Sequence, residues 1–145
     1  MTTTYESDIV VWANQQAQHI RAGRFDQLDL VNLAEEIEDV GKSEKRELAS
    51  RMAVLLAHLL KWKFQANFRG SSWAATITEQ RKQVAYHLKE VPSLVQKLDD
   101  AEWVEMVWGR AKTQASAETG IGFDKFPDAC PWPINQVRDT SWLPE

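Results

Sequence analysis

The chain lacks most of the patterns that identify a secreted, membrane-spanning or disulfide-linked protein. It has one cysteine, Cys130, in 145 residues, which excludes an intramolecular disulfide and a cysteine-based zinc site. Its longest apolar run, Met52 to Leu60, is interrupted by His58 and is too short to span a bilayer. The first eight residues are polar and show no leader pattern, so we expect a cytoplasmic protein without a membrane partner.

Catalytic and cofactor-binding motifs are also missing. There is no glycine-rich phosphate loop, no nucleophile elbow and no dinucleotide fingerprint. None of His19, His58 and His87 has a glutamate three residues before it or a histidine four residues away, which excludes the helical motifs for di-iron and zinc sites. The acidic run that contains Glu35 and Glu38 is typical of a solvated helix face. We therefore predict no metal and no cofactor.

The composition is that of a soluble globular protein. Hydrophobic residues make up 43% of the chain and charged residues 26%, and the seven tryptophans are expected to anchor a core. A net charge of -4 does not favour nucleic acid as a partner, so binding to RNA or DNA would need a local basic patch.

Helical periodicity and capping residues divide the chain into helices. We expect the first helix to begin at Ser7 or Asp8 and to end at Gly23. A second helix should run from Asp29 to Gly41, with an apolar stripe along one face. The stripe consists of Leu30, Leu33, Ile37 and Val40.

The third helix should begin at Ser43 and, because its middle is apolar all round, should lie at the centre of the fold. The remaining predicted helices run from Ser71 or Ser72 to Val91, from Pro92 to Leu98, and from a cap at Asp99 to Gly120. We predict an all-α, single-domain bundle of about five to six helices over residues 1–145, with a C-terminal wrap rich in proline and tryptophan.

A candidate polar pocket follows from His58, because a polar ring inside an apolar run requires a partner. We expect a carboxylate, Glu35 or Glu38, to hydrogen-bond His58. Arg81 lies beside the apolar face of the fourth helix and is expected to reach an acid across the bundle. Arg51 lies on the same polar stripe as His58 and completes the predicted pocket.

A candidate anion site lies around the turn before the fourth helix. The free amides of a helix start, together with cationic side chains, are typical of phosphate binding. The residues that would form this site are Lys61, Lys63, Arg69, Gly70, Ser71 and Ser72.

The chain resembles an uncharacterised bacterial family known as domain of unknown function 29, over roughly Tyr5 to Val137. The stretches that carry the resemblance are Tyr5-Glu6-Ser7-Asp8 with Trp12, Asn32-Leu33-Ala34-Glu35-Glu36-Ile37-Glu38 with Gly41, Lys45-Arg46-Glu47-Leu48, His58-Leu59-Leu60-Lys61-Trp62, Ser72-Trp73 with Arg81, Pro92-Ser93-Leu94 and Cys130-Pro131. The resemblance implies an α-helical, cytoplasmic bacterial protein, and it implies no activity.

Two classes of function remain open. The first is a non-catalytic binding or adaptor protein with a polar pocket and, as its partner, another protein. The alternative is a metal-independent enzyme that cleaves phosphate esters in RNA, because the spacing of Arg51 and His58 resembles that of HEPN-type ribonucleases.

Overall fold

The computed structural model describes residues 4–145, and helices follow one another along that whole range without a strand. The α-helices are α1 (Thr4–Ser7), α2 (Ile9–Arg21), α3 (Leu30–Phe64), α4 (Ser71–Glu90), α5 (Ala101–Thr119) and α6 (Ile134–Arg138). Short 3₁₀ helices lie at Phe25–Gln27, Ala66–Phe68, Pro92–Asp99 and Phe123–Lys125. The predicted all-α fold is confirmed.

Capping residues explain where α2 and α5 begin and end. The carboxylate of Asp8 accepts hydrogen bonds from the first turn of α2. Gly23 and Gly120 adopt φ angles of 73° and 78°, the left-handed conformation that favours glycine after a helix. The cap of α5 is Asp100 rather than Asp99, one residue later than predicted.

Helix α3 differs from the prediction, because it is continuous where the sequence indicated a break. Gly41 and Ser43, which were expected to end one helix and begin the next, both lie inside α3. A glycine inside a helix costs about 1 kcal/mol relative to alanine, which the neighbouring turns of a long helix can offset. Although α3 has 35 residues, no helix in the described range is long and apolar enough to cross a membrane.

The chain folds as two compact units, the first ending at Ser43 and the second comprising Glu44–Glu145. The expectation of one domain therefore stays a prediction. The hydrophobic core lies in the second unit, where α3 is buried on most sides, as predicted for a central helix. From this helix the core takes Leu48, Ala49, Met52, Ala53, Leu55, Leu56, Ala57, Leu59 and Leu60.

The segment after α5 is an ordered wrap anchored by aromatic side chains, as the sequence indicated. Trp132 packs edge-on against Trp108 and Trp142, with ring centroids 5.8 Å and 5.5 Å apart. The indole nitrogen of Trp108 donates to the carbonyl oxygen of Pro127 over 2.9 Å. The wrap therefore belongs to the packed second unit.

Candidate functional site

His58 does not have the carboxylate partner that the sequence predicted. Its Nδ1 lies 2.9 Å from the carbonyl oxygen of Val54, one turn earlier in α3. Because a carbonyl only accepts hydrogen bonds, Nδ1 must carry the proton. Burial lowers the pKa of His58, and the hydrogen bond to Val54 offsets part of that effect. The prediction that Glu35 or Glu38 hydrogen-bonds His58 is therefore wrong, and the ring is held by its own helix.

Arg81 is buried as expected, but its partners are backbone carbonyls and not an acid. Its Nε donates to Val137 over 2.9 Å, and one of its Nη atoms donates to Trp142 over 2.7 Å. The nearby charge of Asp139 opposes the desolvation that lowers the pKa of Arg81. Arg81 thus connects α4 to the C-terminal wrap.

These contacts account for only some of the residues of the predicted polar pocket. Glu35 and Glu38 belong to the first unit, while Arg51, His58 and Arg81 belong to the second. The pocket as a whole stays a prediction. Arg51 forms an ion pair of 2.8 Å with Glu47, so its guanidinium already has an anionic partner.

In the predicted anion site, two of the three cations have intramolecular partners. The Nε of Arg69 donates to the carbonyl oxygen of Trp62 over 2.6 Å, and its guanidinium carbon lies 5.2 Å from the centre of the Trp62 ring. The ammonium of Lys61 lies 2.6 Å from Glu118 and 5.2 Å from the centre of the Trp73 ring. These contacts give Arg69 and Lys61 structural roles.

The remaining residues of that site lie at the surface. Lys63, Gly70, Ser71 and Ser72 are exposed, and no side chain caps the start of α4. Anion binding at this turn stays a prediction.

The structure brings together a group that sequence reasoning missed. The Nε2 of His87, on α4, lies 2.6 Å from Glu44 Oε2 and 3.8 Å from Glu47 Oε2, both on α3. His87 is buried, whereas Glu44 and Glu47 are partly open to solvent. These residues line a cavity of about 340 Å³ together with Arg51 and Glu90.

The motif search failed here because it compared residues along one helix, while this cluster joins two helices. Two signals were available in the sequence. Glu44 and Glu47 are three residues apart and so share one helix face. His87 lies between Val84 and Leu88, two core positions of α4, where a polar ring needs a partner.

A second feature of interest is the apolar stripe on the first part of α3. An apolar stripe at helical spacing usually packs against a core, yet three of the four residues of this stripe, Leu30, Ile37 and Val40, are 68%, 70% and 66% exposed. In the first unit, the buried residues of α2 are Trp12 and Gln16. In the described part of the first unit, most of this stripe is therefore exposed.

The contacts inside the first unit are mostly polar. The indole nitrogen of Trp12 donates to Asp29 over 3.0 Å, and the amide of Asp29 donates to the side chain of Gln16 over 2.8 Å. Tyr5 donates to Glu36 over 2.7 Å, and this hydrogen bond raises the pKa of Tyr5 to about 12. Hydrogen bonds from Trp12 and to Gln16 thus connect α2 to the start of α3.

These features define an all-helical protein with a histidine–carboxylate cluster on its second unit and an uncovered apolar stripe on its first. The chain belongs to the family described as Domain of unknown function DUF29, which matches residues 4–143. The family assignment confirms the resemblance and supplies no activity. No curated protein and no solved structure matches the chain.

Proposed function

We propose that this protein is a non-catalytic binding protein whose first unit docks a basic amphipathic helix of another protein. The observation that carries this proposal is the exposed stripe of Leu30, Ile37 and Val40 on α3. Helical spacing places these residues on one face, the arrangement that receives the apolar side of a partner helix. A large apolar patch at the surface of a protein is typical of an interaction site.

Charge favours a basic partner. The first unit contains eight acidic residues and three basic ones, Arg21, Arg24 and Lys42. Glu38 lies beside the stripe on α3, so a lysine or arginine at the edge of a partner helix would find a carboxylate there. Nucleic acid is disfavoured at this face by the same charge.

A second copy of the chain is a weaker candidate for this face. Two first units would bring together two surfaces with the same excess of negative charge, and like charges across an interface are destabilising. A complementary partner carries the opposite charge around its apolar stripe.

Calorimetric titration of the 145-residue chain with a synthetic amphipathic helix, which has a stripe of leucines flanked by lysines, would test this proposal. A peptide of the same leucine pattern with glutamate flanks controls for apolar attraction alone. We expect the lysine peptide to bind with an affinity that falls as the salt concentration rises. The glutamate peptide should not bind.

A double variant, Ile37→Ser with Val40→Ser, should weaken binding of the lysine peptide by at least about tenfold, since each side chain contributes roughly 1–2 kcal/mol of apolar burial. The matched control is Val95→Ser with Met106→Ser, which removes exposed apolar side chains from the second unit. Equal loss of affinity in both double variants, or no binding by the wild type, would reject the proposed face. Concentration-dependent dimerisation lost in the first double variant would assign it to a second copy instead.

A further inference from the structure

We infer that Glu44, Glu47 and His87 form a zinc-binding site that connects α3 to α4. One nitrogen and two carboxylate oxygens from these residues all lie within 4.8 Å of one another. An imidazole nitrogen with carboxylate oxygens is a ligand set that suits zinc, whereas calcium and magnesium prefer oxygen alone. This inference concerns the second unit and is independent of the proposed docking face.

The distances fit a zinc ion after small side-chain movements. Bonds of about 2.0–2.1 Å in a tetrahedral site place neighbouring ligand atoms about 3.3 Å apart. The His87 nitrogen lies 2.6 Å from Glu44 and 3.8 Å from Glu47, on either side of that separation. The side chains of Glu44 and Glu47 are 38% and 47% exposed, so both carboxylates have room to adjust around the buried ring.

His87 supplies a second observation that points to a ligand. The ring is buried, with 7% of its surface exposed, and its Nε2 faces the two carboxylates. Its Nδ1 is buried without a hydrogen-bond partner among the described residues, so the ring is oriented only from the Nε2 side. The buried ring therefore presents Nε2 to both carboxylates, and Nε2 is the nitrogen that would bind a metal shared with them.

The neighbouring residues affect the site in opposite directions. Arg51 donates to Oε1 of Glu47, which leaves Oε2 facing His87. The guanidinium of Arg51 repels a cation, but Glu90 lines the same cavity and adds a third negative charge.

The unpartnered nitrogen limits the affinity. Zinc on Nε2 leaves the proton of a neutral ring on Nδ1, where it finds no acceptor among the described residues. Histidines in tight zinc sites donate that proton to a carboxylate or carbonyl. We therefore expect micromolar rather than nanomolar binding. Three protein ligands leave a fourth position, which opens into the cavity and would take water or a small anion.

Titration of the metal-free 145-residue chain with zinc chloride, in competition with a chromophoric chelator, tests the inference. We expect one equivalent to bind, to raise the melting temperature and to shift the Nε2 nitrogen resonance of His87. Cobalt in place of zinc should give the intense visible absorption of a tetrahedral site. No saturable binding by the wild type would overturn the inference.

Two variants and two controls locate the metal. Glu44→Gln and Glu47→Gln should each weaken zinc binding at least about tenfold, because an amide is a poorer ligand than a carboxylate. Glu105→Gln removes an exposed carboxylate from α5 and His19→Ala removes a histidine elsewhere, and both should leave the affinity within about threefold. Wild-type affinity in the first two variants, or loss of binding in His19→Ala, would show that zinc binds at another place.

Discussion

Arg81 Nε donates a hydrogen bond of 2.9 Å to the carbonyl oxygen of Val137, 56 residues further along the chain. A second hydrogen bond of 2.7 Å reaches the carbonyl of Trp142. Arg81 is 5% exposed, so water does not replace these contacts easily. The guanidinium thus holds the C-terminal wrap against α4. It donates hydrogen bonds to two carbonyls that accept none from a helix or strand neighbour.

Replacement of Arg81 should therefore destabilise the protein strongly. We expect Arg81→Ala to lower the free energy of unfolding by roughly 2–4 kcal/mol, because hydrogen bonds from charged donors are lost and two carbonyls lose their partner. Denaturant unfolding followed by circular dichroism measures the loss. Lys82→Ala is the matched control, since Lys82 is the adjacent cation and is exposed. A loss no larger than that of Lys82→Ala would contradict the structural role.

The sequence indicated that Arg81 and His58 are buried polar residues, but it misassigned their partners. Periodicity places a residue on a helix face, and burial of a charge requires a partner. Neither argument distinguishes a carboxylate from a carbonyl, because both accept hydrogen bonds. Val137 lies in the last turn of α6 and Trp142 lies beyond that helix, so neither carbonyl accepts a helical hydrogen bond, which a residue pattern does not reveal.

Local signals located most helix ends and failed where they conflicted with a long-range effect. Asp8, Gly23 and Gly120 acted as predicted, because each position is decided by its own backbone geometry. Gly41 and Ser43 gave an equally strong local signal, yet α3 continues through both. The histidine–carboxylate cluster could not be predicted from spacing, since its residues are joined by the packing of α3 on α4.

The ion pair between Lys61 and Glu118 should make the stability of the protein depend on pH in the acidic range. Burial raises the pKa of Glu118, but hydrogen bonds from Lys61 and Gln114 outweigh it, so that pKa is lower than usual. A carboxyl with a lowered pKa in the folded state contributes stability fully above its unfolded pKa of about 4.3 and loses it as pH falls further. Glu118→Gln should therefore flatten the fall in melting temperature below that pH.

The control for this measurement is Glu105→Gln, which removes an exposed carboxylate from α5. The test is to measure the melting temperatures of the two variants and the wild type at several pH values from neutral to strongly acidic. A Glu118→Gln variant whose acid dependence parallels that of the wild type would show that the ion pair contributes nothing.

His58 should also couple stability to pH, in a higher range. Burial, its largest cause, lowers the pKa of His58. As pH falls, the ring therefore takes up a proton more readily in the unfolded chain than in the folded protein. The contribution of His58 to stability is complete above the pKa of about 6.5 in the unfolded chain and decreases as pH falls below that value. Nitrogen NMR should show a neutral ring with its proton on Nδ1, as the contact to Val54 requires.

The variant His58→Asn tests this coupling, because its amide nitrogen can still donate to the Val54 carbonyl while the side chain cannot titrate. We expect a shallower fall in melting temperature between neutral and mildly acidic pH than in the wild type. His19→Asn is the control for the loss of a histidine. An unchanged slope in His58→Asn, or a proton on Nε2 in the wild type, would refute the assignment.

The continuity of α3 can be tested at Gly41. An added Cβ would meet no atom within 4 Å, and the residue lies inside the helix without a positive φ. Gly41→Ala should therefore stabilise the protein by about 1 kcal/mol, the difference in helix propensity. Gly109 in α5 is equally unobstructed, so Gly109→Ala should stabilise by a similar amount. Gly120→Ala should destabilise, because φ there is 78°. If Gly41→Ala behaved like Gly120→Ala, Gly41 would be a helix end and α3 would be two helices, as its local sequence suggests.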